Sequence, residues 1–179
     1  MRTDTQQQYV EYVTGQLPAL RRLAYVLCDD THHADDLVQQ TITKLYVRWK
    51  KVSDVEYLDQ YVRTMLVRAF VDEKRRSWAR VGLMAQVPDR PDPRAGVEQP
   101  VAEAVAVRAA LARVPSRQKA VLILRFLCDM TVEDVAAALD CSTGNVKSQT
   151  SRGLATLRRL LGDDRRREPN SESRVRKEA

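Results

Sequence analysis

Residues 131–161 read T-V-E-D-V-A-A-A-L-D-C-S-T-G-N-V-K-S-Q-T-S-R-G-L-A-T-L-R-R-L-L, two helical patterns separated by a turn. Thr131 has the character of an N-cap, and Asp134 stands three positions on, where a capping-box acid belongs. A short helix ends at Leu139, a tight turn occupies Asp140–Ser142, and Ser142 caps a second helix. Asp140 falls where glycine would most easily take the left-handed conformation, which aspartate tolerates better than most residues. This is the pattern of a helix-turn-helix. On its second helix Val146, Leu154 and Leu157 share a buried face. Thr143, Lys147, Ser148, Ser151 and Arg152 project elsewhere, with Asn145 and Gln149 at the margins. Hydroxyls and cations grip phosphates, while Asn, Gln, Lys and Arg address base edges. The plainer alternative is a solvated helix that closes a bundle. Gly153 costs about 1 kcal/mol of helix propensity and marks either a close contact or a tolerated weakness.

Working outward, residues 101–114 form an apolar-periodic helix, and Pro115–Ser116 lead into a second one, R-Q-K-A-V-L-I-L-R-F-L. Before them lies V-P-D-R-P-D-P-R-A-G-V-E-Q-P (87–100), with four prolines and a glycine in fourteen positions. Each proline fixes its own φ and disfavours helix in the residue before it. This reads as an extended linker. Residues 163–179 have a single aliphatic side chain larger than alanine and read as a mobile tail.

Upstream of the linker, Tyr9, Val13, Leu17, Leu20, Leu23, Ala24 and Leu27 recur at helical spacing. Gly15 and Pro18 predict a kink or restart within this run. A second helix over about 33–49 buries Leu37, Val38, Leu45 and Trp49. A third over about 57–79 carries Leu58, Val62, Leu66, Ala69 and Phe70 on its apolar face. No stretch alternates with the period of a strand. The expectation is an all-α chain with domains at 1–80 and 101–161, a linker at 81–100 and a charged tail at 162–179.

The chain has 179 residues, 44% of them hydrophobic, and carries 30 Lys+Arg against 24 Asp+Glu. Residues 101–161 hold 9 basic and 5 acidic groups, against 13 and 11 in residues 1–80. The excess fits a nucleic-acid partner, although charge alone does not choose one. No apolar run approaches the roughly 18 residues that span a bilayer, and the N-terminal stretch lacks the apolar core of a signal peptide. Cys28, Cys128 and Cys141 stand far apart, without disulfide or zinc spacing. Cys28, His32 and His33 are three potential ligands with no fourth in view. An intracellular, cytoplasmic location is expected. No nucleotide loop, metal cage or nucleophile with a base is visible, so neither enzyme nor cofactor is expected.

One stretch resists the basic theme. A-D-D-L-V-Q-Q (34–40) lays an acidic pair and an amide pair over an apolar repeat. Acids in a helix's first turn stabilise its macrodipole by roughly 0.3–1 kcal/mol without any partner. That explains Asp35 and Asp36 but leaves Gln39 and Gln40 without a role. Acceptors aligned at Asp35, Gln39 and Thr43 would suit basic groups on another protein.

These segments together resemble an extracytoplasmic-function sigma factor of bacterial RNA polymerase. A-D-D-L-V-Q-Q is similar to the family's A-E-D-L-V-Q-E signature in region 2. Y-V-R-T-M-L-V-R-A-F-V-D-E-K-R-R resembles its promoter-melting helix, and N-V-K-S-Q-T-S-R-G-L-A-T-L-R-R-L its region 4 recognition segment. The likeness covers about 8–80 and 101–161, and its details look most like an actinobacterial, sigma-E-like subgroup. It implies a factor that binds core RNA polymerase, meets the −10 and −35 promoter elements and helps open the duplex. It further implies that Asp35, Asp36, Leu37, Gln39 and Gln40 dock on the polymerase. Arg63, Arg68, Lys74, Arg75 and Arg76 would then meet DNA at the −10 element, and Thr143, Asn145, Lys147, Ser148, Ser151 and Arg152 at the −35 element. Trp49 would be either a stacking surface for a displaced base or a core residue. Arg68 departs from the asparagine of many members, and Asn145, Gln149 and Thr150 depart from the usual recognition helix. An anti-sigma protein is an implied regulator. A stand-alone helix-turn-helix regulator is the alternative, although it would need a dimerisation element that the sequence does not offer. A helical adaptor with a basic tail is a third reading.

Overall fold

The computed structural model describes residues 2–81 and 102–167. Among these, every regular element is helical: α1 (Arg2–Cys28), α2 (Thr31–Val52), α3 (Leu58–Val81), α4 (Ala102–Ala112), α5 (Ser116–Leu122), α6 (Val132–Leu139) and α7 (Thr143–Arg167). A π-turn, Ile123–Leu127, continues α5. The proline-rich stretch 87–100 and most of the expected tail lie outside the described residues. Helix α7 runs to Arg167, into the segment that the sequence assigns to the tail; Gly162 lowers the helix propensity there without ending the helix.

In the N-terminal half, Leu20, Leu23, Ala24 and Leu27 of α1 meet Leu37, Val38 and Leu45 of α2 and Val62, Leu66 and Phe70 of α3. The restart expected near Gly15–Pro18 does not occur: α1 is continuous through Pro18. A proline forfeits one helical hydrogen bond, but Leu17 and Leu20 on either side are both seated against the core, which holds the two segments on one line. Trp49 is buried, edge-on to Tyr9 at 5.3 Å. It is a core residue, not a stacking platform. Thr41 is also enclosed, and its hydroxyl donates to the Leu37 carbonyl at 2.8 Å, which removes the cost of burying it.

In the C-terminal half, Ala110, Val114, Leu122 and Leu160 form a small cluster of their own. Gly153 faces α5 so closely that a Cβ there would stand 2.9 Å from Leu122 Cδ1. The glycine marks a close contact.

The two halves abut. Ala120, Val121, Ile123, Leu124, Met130, Val135, Ala136, Ala138 and Val146 join the buried cluster of the N-terminal half. Polar bonds cross the same seam. The Arg68 guanidinium donates through Nη2 to the Ala137 carbonyl at 2.7 Å and through Nε to that of Ala138. Lys119 Nζ donates to the Leu27 carbonyl at 3.1 Å. Arg108 lies 3.8 Å from Asp29 Oδ1, with its guanidinium 4.6 Å above the Tyr25 ring.

Candidate nucleic-acid interface

The recognition face begins with local chemistry. Thr131 Oγ1 accepts from the Asp134 amide at 3.0 Å, and the Asp134 carboxylate accepts from the Thr131 amide at 3.4 Å, a reciprocal cap that fixes the start of α6. The helix ends at Asp140, whose φ of 50° is left-handed. The Cys141 amide then returns to the Ala136 carbonyl at 3.0 Å, the closure of a Schellman motif. Ser142 Oγ accepts from the Asn145 amide at 3.1 Å and starts α7. Val146 of α7 is wholly buried, and Leu154 and Leu157 are half-buried.

That anchoring turns Thr143, Lys147, Ser148, Ser151 and Arg152 to the exposed side of α7. Asn145 and Gln149 are half-buried instead, lining a cavity of about 30 Å³ with Val71 of α3 and Leu139 and Cys141 of the turn. Five of the six residues expected on the recognition helix therefore share one open surface, and Asn145 sits at its edge against α3. No acid occupies the first turn of α7, so its free amides favour an anion there.

Helix α3 presents its cations differently. Arg75 and Arg76 are exposed, whereas Arg63 and Lys74 are half-buried, the latter with Nζ 5.9 Å from the Phe70 ring centre. Arg68 is engaged with the end of α6. Between α2, α3 and α6 lies a groove of about 600 Å³ lined by Lys44, Arg48, Tyr57, Tyr61, Arg68 and Ala138, among others. Sequence reasoning missed Tyr57, which is 65% exposed. Its signal was available: a large aromatic just ahead of the apolar phase of α3 has no core to enter.

On α2 the acid-amide strip is laid out as a surface. Asp35, Asp36, Gln39 and Gln40 are exposed, but Leu37 is 0% exposed. Leu37 thus holds the helix in the core, and its side chain offers nothing to a docking partner. The cap of α2 is Asp30, which accepts from the His33 amide at 2.6 Å. No acid lies in the first turn of α2, so dipole compensation, which fades beyond one turn, does not account for Asp35 and Asp36. Asp35 is instead paired with Arg21 of α1 at 3.2 Å across exposed surface. Among the described residues no three His, Cys, Asp or Glu side chains gather to hold a metal. His33 faces Glu73 of α3 at 2.8 Å.

Burial perturbs the groups along the seam. It pushes the Cys28 thiol up to about 12, with the nearby Glu73 adding to the effect, and it raises Cys128 as well. Lys119, 5% exposed, is lowered by the same desolvation, partly offset by Asp29. Burial raises Asp29, while Arg108 and Lys119 favour its charged form.

Comparison with known proteins agrees with this layout. Residues 13–80 match the family model of sigma-70 region 2, and residues 104–157 that of sigma-70, region 4. The chain is 34% identical over 158 residues to the RNA polymerase sigma-E factor of Streptomyces avermitilis, covering 86% of this chain and 85% of that protein. It is 29% identical to the ECF RNA polymerase sigma factor EcfG of Rhodopseudomonas palustris, over 83% and 82% of the two chains. Among solved structures, the sigma factor RpoE of Bartonella quintana, crystallised with the anti-sigma factor NepR, superposes with a TM-score of 0.71 at 26% identity, covering 87% of this chain and 98% of that one. CnrH, solved with the cytosolic domain of CnrY, shares the fold with a TM-score of 0.58 at 18% identity. With both regions matched in order and a full-length relative above 30% identity, the chain belongs to the sigma-70 family of RNA polymerase sigma factors, in its extracytoplasmic-function group.

Proposed function

We propose that this protein is a promoter-specificity subunit: it binds core RNA polymerase, directs it to −10 and −35 elements, and helps separate the strands. One observation carries the reading above all. Two oppositely charged helical surfaces stand on one molecule, an exposed acid-amide strip on α2 and an exposed basic, hydroxyl-rich face on α7. A stand-alone regulator needs only the second. Asp35, Asp36, Gln39 and Gln40 supply acceptors for basic groups of the polymerase, with Arg21 already on Asp35 as a displaceable intramolecular partner. Thr143, Lys147, Ser148, Ser151 and Arg152 address the upstream element. Arg75 and Arg76 neutralise phosphates near the melted one, and Arg63, Arg68 and Lys74 are reserve cations on the same helix. Domain boundaries at 1–80 and 101–161 follow from the same assignment.

No chemical step is assigned to the protein itself; its work is recognition, and polymerase performs the catalysis. No helix among the described residues is long and apolar enough to cross a membrane, and a cytoplasmic site of action follows from the polymerase partner. The complex of the Bartonella relative with NepR supports a protein regulator here as well.

The test is transcription in vitro. Purified protein added to core polymerase should give initiation at discrete promoters, with little specific DNA binding when core is left out. Asp35→Lys/Asp36→Lys should weaken capture of core by about tenfold or more while leaving the melting temperature close to that of wild type, since exposed charges contribute little to stability. A folded protein that captures no core would end the proposal, and tight specific DNA binding without core would favour the stand-alone regulator.

A further inference from the structure

The two acids of the α2 strip are not equivalent. Asp35 and Asp36 stand side by side in the second turn of α2, and both are exposed. Asp35 is occupied: Arg21 of α1 reaches across the α1–α2 junction and places Nε 3.2 Å from Asp35 Oδ1. Asp36 pairs with no cation among the described residues. Gln39 and Gln40, one turn further along, are exposed and neutral. Half of the strip's negative charge is therefore already answered from within the molecule.

The fold has little need of that answer. Both partners keep about half of their side-chain surface in water, 56% and 50%, and a pair so exposed is weak and screened by salt. The junction it spans is fixed by Leu20 and Leu23 of α1 against Ala34 and Leu37 of α2, all of them buried in one cluster. For a basic partner the pair matters more. An incoming cation either displaces Arg21 or shares the carboxylate with it. In both cases it meets a site whose net charge is zero, whereas at Asp36 it meets a full negative charge.

We propose that Arg21 is an internal counter-ion that competes with the polymerase for Asp35. Capture begins at the free Asp36, and the polymerase group that reaches Asp35 is a second cation seated over the junction of α1 and α2. The docking surface thus extends from α2 onto the exposed Arg21 turn of α1, and the partner offers at least two basic groups, one for each acid. At Asp35 one exposed ion pair is exchanged for another, so this position adds little to the affinity of the wild type or to its salt dependence. The inference rests on the polymerase-docking role proposed above and deepens it.

The experiment measures binding of the full-length protein to immobilised core RNA polymerase by interferometry, over a series of salt concentrations. Arg21→Gln should bind core about threefold more tightly than wild type at low salt, the size expected of one exposed pair. Its affinity should also fall more steeply as salt rises, because an ion pair to the partner now forms without another being given up. In an Asp35→Asn background the same Arg21→Gln change should have no effect, since no charge is left to compete for. Asp36→Asn should weaken capture several-fold, and Asp35→Asn by about twofold or less. Thermal unfolding should be nearly the same for all, which separates a lost counter-ion from a lost structural contact. Arg21→Gln with the wild-type affinity and salt slope would overturn the proposal, because the pair would then be idle. Weaker capture by Arg21→Gln would overturn it too, by making Arg21 itself a contact, and so would an undiminished effect in the Asp35→Asn background. A folded wild type that captures no core removes the docking role and this inference together. Tight capture by wild type with any of the contrary results above removes the competition alone.

Discussion

Helices α3 and α7 are both long, both basic and both assigned to DNA, yet they present their cations in opposite ways. On α7 the buried Val146 and Leu160 and the half-buried Leu154 and Leu157 collect on one side, and the polar residues between them face outward together. On α3 the buried set of Val62, Leu66, Val67, Ala69 and Phe70 spans a wider arc, because it packs against α1, α2 and the C-terminal half. Little of its circumference remains, and what remains is shared with α6. Charge on a helix therefore says what it could meet. The width of the buried arc decides what it does meet.

The sharpest test of this contrast is to remove cations in pairs. Lys147→Ala/Arg152→Ala on α7 should reduce promoter-specific transcription by roughly 100-fold, two direct contacts being lost at about 1–3 kcal/mol each. The measurement is run-off transcription on a defined promoter against one with the upstream element scrambled; on the scrambled template the variant and wild type should converge. Arg75→Ala/Arg76→Ala on α3 should cost less, about tenfold, and act equally on all sequences. Its mark is a salt slope reduced by about 2, from two lost phosphate contacts. Equal and sequence-dependent losses from both pairs would erase the distinction between the helices.

Alkaline titration probes the seam between them. The folded protein keeps protons on Cys28, Cys128, Tyr9 and Tyr12 that an unfolded chain begins to release near pH 9–10, since burial raises all four. Their stabilisation is intact below those values and is lost as pH rises through them. Lys119 has the opposite sign: its folded value is lowered, so over the window below its ordinary 10.5 the unfolded chain binds more protons and stability rises with pH. Four groups against one give a net loss, at up to about 1.4 kcal/mol per pH unit for each fully mismatched group. The urea midpoint should fall between pH 8.5 and 10.5, and Cys28→Ala should flatten the decline. A midpoint that climbs over this range would mean that Lys119 dominates. The smallest effect belongs to Asp140→Gly, which relieves the left-handed strain at the end of α6 but loosens the unfolded chain. A gain of about 0.5 kcal/mol in thermal unfolding is expected, with the Arg68 bonds retained.

Local rules carried far in this sequence. The box at Thr131 and Asp134, the left-handed Asp140, the cap at Ser142 and the outward face of α7 all depend on residues within a few positions of one another, and all were legible. Helix phase likewise placed Trp49 in the core as one of its two readings. What escaped was long-range. Nothing near Arg68 in sequence says that two carbonyls seventy positions away would claim it, and nothing near Lys119 announces the end of α1. Leu37 shows the converse error: a motif was taken whole, although its central leucine lies on the buried phase. Continuous α1 shows the limit of a local rule, since proline's penalty was outweighed by packing on both sides of it.

Gly153 gives the recognition helix a fulcrum. Helix α7 rests on Leu122 so closely that a Cβ at Gly153 would have to displace the tip of that side chain. Ten residues separate that point from Thr143, an arm of about 15 Å at 1.5 Å per residue. A displacement at the fulcrum is therefore delivered, as on any lever, to the end proposed to read the bases. The seating of one glycine on α5 thus bears on how the proposed DNA-reading tip is aimed, separately from the side chains at its front.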